Sequence, residues 1–151
     1  MENSSLIDQL IDTYHSLNTS VRTVPEDRLR SRSGSGASAE DIVRRMRDDE
    51  LRFSQALRER VTGLAMPDIF GQGDAPIIGT EAAEDSASVL IAQFGSAREV
   101  TLSLLRSLGE LDWDKADAGD KTIRASVSDL AASDQRQLAR IAEQLVGAVP
   151  A

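Results

Sequence analysis

Apolar residues recur every three or four positions through most of this chain. Leu6, Leu10, Tyr14, Leu17 and Val21, with Ile7 and Ile11 beside them, predict a first amphipathic helix over residues 4–22. Pro25 closes it. Glu26, Asp27, Arg28 and Leu29 can make one short turn, and the run Ser31-Arg32-Ser33-Gly34-Ser35-Gly36 reads as a long mobile loop. Ser38, with Asp41 three residues on, has the spacing of a capping box, and Ile42, Met46, Phe53, Leu57, Val61 and Leu64 carry a second helix to about residues 63–66. Pro67, Gly71, Gly73, Pro76 and Gly79 then populate a connection too long for a tight hairpin, as a crossover between bundle helices requires.

Val89, Ile91, Phe94, Ala97, Val100, Leu104, Leu105 and Leu108 predict a third helix over 81–109, with Gly109 at its C-terminal cap and Gly95 inside it as a point of close packing or bending. A polar connection over 112–125 carries Trp113, read as covering a bundle end. Val127, Leu130, Leu138, Ile141 and Leu145 define a fourth helix from Ser126 or Ser128 to Val146. Four amphipathic helices make an all-α bundle, here one domain over residues 1–151.

The apolar stripes are interrupted twice. In the second helix the step between Met46 and Phe53 falls on Asp49 or Glu50, with Arg45 one turn earlier; in the fourth, the register Leu130, Asp134, Leu138, Ile141 puts Asp134 inward, flanked by Ser133 and Gln137. Buried charges require partners, so the expected arrangement is an Arg45–Asp134 pair, with Asp49 nearby. Two readings follow: a structural ion pair, or a pocket in which the planar guanidinium of Arg45 receives a carboxylate or phosphate ligand.

Composition narrows the function classes. Seventeen Lys and Arg against 25 Asp and Glu leave a net charge of -8, which opposes binding to nucleic acid and to anionic membrane surfaces. The run Arg28-Leu29-Arg30-Ser31-Arg32 is a small basic exception without an aromatic stacking residue. With no cysteine, neither disulfides nor thiolate ligands nor a thiol nucleophile can form within the chain. No apolar run approaches the roughly 18 residues of a membrane span, and the first residues carry no secretory pattern, so the expectation is a cytoplasmic protein.

Two segments carry a family resemblance. They are Ala37-Ser38 with Asp41, Arg45, Asp48 and Glu50, and Ser133-Asp134-Gln135-Arg136-Gln137-Leu138-Ala139-Arg140-Ile141. In spacing the chain resembles the DinB-like (YfiT-like) superfamily over about residues 6–145. That superfamily includes metal-dependent hydrolases, thiol S-transferases and the N-terminal domain of mycothiol-dependent maleylpyruvate isomerases. Its second helix typically reads Trp-Ser, Glu, then His, and its fourth His-Asp-x-x-His-Leu-x-Gln-Ile. The resemblance implies a DinB-like four-helix bundle with long crossover loops, commonly a homodimer.

It also implies that the three metal-binding histidines fall at Arg45, Ser133 and Gln137. None is an imidazole, and arginine opposes a dication. The expectation is therefore a degenerate, metal-free site with no cofactor, formed by Arg45, Asp49, Ser133, Asp134 and Gln137, in a non-catalytic protein that binds a small, anionic ligand or acts as an accessory. The alternative is a metal-dependent thiol S-transferase or hydrolase in which Asp134, the helix-two carboxylates and His15, the sole histidine, rebuild a site.

Overall fold

The computed structural model describes residues 2–32, 36–64, 86–117 and 119–147. Six helices form: α1 (Asn3–Arg22), α2 (Glu26–Arg30), α3 (Ala39–Thr62), α4 (Ala87–Arg106), α5 (Glu110–Trp113) and α6 (Ile123–Gly147). The chain is all-α among the described residues, with a single isolated bridge between Ala116 and Thr122.

Local chemistry sets the helix ends. The Ser38 hydroxyl accepts from the Asp41 amide at 3.1 Å while the Asp41 carboxylate accepts from the Ser38 amide at 3.3 Å, the reciprocal box anticipated from the spacing. Gly63 ends α3 in the left-handed region at φ 71°, donating its amide to the Glu59 carbonyl at 2.8 Å. Two expected boundaries differ. α4 stops at Arg106, and Gly109, at φ -77°, caps the start of α5 rather than the end of α4, its amide donating to Asp112 at 3.0 Å. α6 begins at Ile123, three residues before Ser126, because the Thr122 hydroxyl accepts from the Ala125 amide at 3.0 Å and caps it there. The expected connection through Pro67 and Gly79, the first residues of the predicted third helix and residues 33–35 of the predicted loop lie outside the described residues.

The four long helices pack as two neighbouring pairs, α3 on α4 and α1 on α6, with α1 also on α4 and α3 also on α6. Their buried apolar residues fall into two clusters. One holds Leu17 and Val21 of α1, Ile42, Val43 and Met46 of α3, Leu90, Ile91 and Phe94 of α4, and Ile141 of α6. The other holds Leu6 and Leu10, Leu57, Leu102 and Leu105, Ile123, Val127 and Ala131, with Trp113 from α5. α1 and α6 therefore run parallel from the second cluster to the first, and α3 and α4 run together in the opposite direction. Trp113, 1% exposed, closes the second cluster, as expected for a ring covering a bundle end.

Candidate functional site

Between the two apolar clusters a buried polar residue from each long helix joins one network: Thr13 from α1, Glu50 from α3, Arg98 from α4 and Asp134 from α6. Each occupies a core position in its own helix, spaced three or four residues from Leu10 and Leu17, from Met46, from Phe94 and Leu102, or from Ala131. The sequence thus places a polar layer across the middle of the bundle.

Arg98 is its hub. Its Nε and Nη2 donate to the two Glu50 oxygens at 2.9 and 2.8 Å; its Nη1 and Nη2 donate to the two Asp134 oxygens at 3.0 and 3.2 Å; and Nη1 also donates to the Leu10 carbonyl at 2.9 Å. These five bonds use all five guanidinium N–H groups. The Thr13 hydroxyl donates to Asp134 Oδ2 at 2.9 Å, and the guanidinium carbon stands 4.9 Å from the Phe94 ring centroid. Burial acts against the charge of Arg98, but Glu50 and Asp134 together outweigh it and raise its pKa above the ordinary arginine value. The layer sums to one positive and two negative formal charges, sealed at 1% exposure for Arg98 and Glu50 and 4% for Asp134.

A second polar cluster ties α3 to α4. Arg47, also 1% exposed, donates from Nε and Nη2 to Asp48 at 2.9 and 2.7 Å and from Nη1 to Gln93 at 2.8 Å.

The residues expected to form the site are not assembled. Arg45 lies on the outer face of α3, its side chain 45% exposed, and pairs with Asp49 four residues along at 2.9 Å; the expected Arg45–Asp134 pair does not form. Asp134 is buried as expected, with Arg98 as its partner. Of the two helix-two carboxylates proposed for the interruption, Glu50 is the inward one and Asp49 is half-exposed. Burial pushes the Asp49 carboxyl above the usual aspartate value, with Arg45 pulling the other way. Ser133 is half-buried, and Gln137 accepts from Arg140 on the surface at 3.0 Å. His15 is exposed, edge-on to Tyr14 at 6.1 Å between ring centroids. Among the described residues no group of three His, Cys, Asp or Glu side chains stands close enough to hold a metal.

Arg98 and Thr13 are the members that the sequence pattern had not singled out. The signal was present: the register Ile91, Phe94, Arg98, Leu102, Leu105 steps by three and four, as does Leu6, Leu10, Thr13, Leu17.

A hollow of about 370 Å³ runs along the α1–α4 seam, lined by Ile11, Tyr14, His15, Arg98, Glu99 and Leu102. Tyr14 and Gly95 set the seam's closeness: a Cβ on Gly95 would stand 2.5 Å from the Tyr14 ring. No helix among the described residues is long and apolar enough to cross a membrane. No family model matches the chain, and no curated protein or solved structure matches it.

Proposed function

We propose that this chain is a DinB-like four-helix bundle that has given up the family's metal chemistry and serves as a non-catalytic small-ligand-binding or accessory protein, as a homodimer. The observation that carries this reading is the polar layer. At the centre of the bundle, two carboxylates are engaged by Arg98, whose donors are all consumed inside the protein. A group so satisfied has nothing to offer a substrate, and freeing it would strand buried charge. The parallel course of the consecutive helices α3 and α4 supports the expected crossover topology.

A small ligand is assigned to the hollow between α1 and α4; the anionic character expected from the sequence finds no free guanidinium there, since Arg98 is spent inside the core and Glu99 is acidic. The hollow is a concave, mixed-polarity volume within the size range of small-molecule sites. An enzyme using His15 with Asp134 and the α3 carboxylates would first have to release Glu50 and Asp134 from Arg98.

Metal content of the purified protein, followed by titration with zinc, nickel and manganese, tests the reading. Below about a tenth of an equivalent, with no saturable uptake, is expected; about one equivalent overturns it and brings the enzyme forward. Light scattering on the same sample checks the dimer. A thermal-shift panel of carboxylates, phosphates and neutral aromatics then locates the ligand class, with Glu99→Ala and Tyr14→Ala expected to change the response.

A further inference from the structure

Every hydrogen-bond partner of the Arg98 guanidinium is an oxygen. Glu50 and Asp134 supply four and the Leu10 carbonyl a fifth, while the Thr13 hydroxyl donates to Asp134 behind them. All come from helices other than the one that carries the arginine: α1, α3 and α6 build the cage and α4 inserts the cation. Two carboxylates against one guanidinium leave one negative charge uncompensated in a sealed interior. A dication in the same place would leave none.

We infer that the mid-bundle layer is a hard-cation site occupied by the protein's own Arg98, and that removing this side chain turns it into a site for a divalent ion of the calcium or manganese type. Five oxygens, with two carboxylates among them, are the donor chemistry such ions take, and one water would complete a six-coordinate shell. The oxygens now lie 2.8–3.2 Å from three different guanidinium nitrogens, so they must converge on one centre to reach the roughly 2.3–2.6 Å of calcium–oxygen bonds. The inference rests on this cage and not on the family resemblance. Wild-type metal content, which tests the proposed function, leaves it untouched.

The experiment uses the full chain carrying Arg98→Ala, melted in chelator and then with calcium, manganese or guanidinium chloride at about 1 mM, a ligand stabilising by mass action when it binds only the folded state. In chelator the variant is expected to melt roughly 10 °C or more below wild type, since two buried carboxylates lose their partner. Calcium or manganese should restore at least about half of that loss, with one equivalent bound in a saturable titration and no shift in wild type. The double variant Arg98→Ala, Glu50→Gln should lose the metal response. If Arg98→Ala does not accumulate folded, the same comparison is made by refolding from urea with calcium, manganese or chelator. Folding no better with metal than in chelator, rescue by guanidinium alone, or a metal response that survives Glu50→Gln would each overturn the inference.

Discussion

At the scale of single residues, position in the helix decides whether a charge matters. Arg45 and Arg98 each bond to a carboxylate at 2.9 Å. The first pair is solvated on both sides and belongs to the class worth about 0–1 kcal/mol; the second is sealed, and losing one partner of such a pair costs about 3–5 kcal/mol. Gly95 makes a comparable distinction for packing. In an exposed helix position, alanine would gain about 1 kcal/mol over glycine. Here the new Cβ would stand 2.5 Å from the Tyr14 ring, so Gly95→Ala is expected to destabilise by about 1–3 kcal/mol in urea unfolding. Combined with Tyr14→Ala, the same change should turn neutral or favourable; equal costs in both backgrounds would show that the ring is not the obstacle.

At the scale of elements, the connection from α5 to α6 is held by carboxylates that accept from backbone amides. Asp117 accepts from the amides of Lys121 and Gly119, at 3.0 and 2.8 Å, and its pKa is lowered below 3.8 first by the Lys121 contact and then by Gly119; Asp112 is lowered by Lys115 and by the Gly109 amide. A carboxyl with a depressed folded-state pKa contributes stability in full above its ordinary value and loses it as pH falls through the folded value. Asp117→Asn should therefore flatten the acid limb of the urea midpoint below about pH 4. Parallel limbs in variant and wild type would remove Asp117 from the acid response. Asp49 works in the opposite sense: with its pKa raised, mainly by burial, its charged form weighs against folding at neutral pH and that penalty is relieved as pH falls.

For the whole molecule, the polar layer poses a choice between stability and specificity. It divides the core into two apolar clusters and touches all four long helices, so any sliding of one helix by a turn would break several charged bonds at once. Replacing the triad by Arg98→Met, Glu50→Leu and Asp134→Leu together is expected to be neutral or stabilising by up to about 4 kcal/mol, whereas Arg98→Met alone should cost about 3–5 kcal/mol. Urea unfolding separates the two outcomes. A triple variant as damaged as the single would mean that the layer contributes net stability beyond what filling the same volume with apolar side chains supplies.

Local spacing and residue type determined that the chain is helical, where α1 lies to within a residue, where α3 begins, that Ser38 and Asp41 form a capping box, and that α3 and α6 turn polar at mid-depth. These are properties of a single helix, whose 3.6-residue period is written in local spacing. Which charges meet is a property of helix pairs. Asp134 has Arg98 for a partner and not Arg45 because the rotation of α3 turns Arg45 to solvent, while α4 carries its arginine into the same layer. No spacing within one helix encodes the rotation of another. The choice between a surface pair and a sealed network was left to packing across the bundle, and with it the difference between a receptor for a ligand and a locked core.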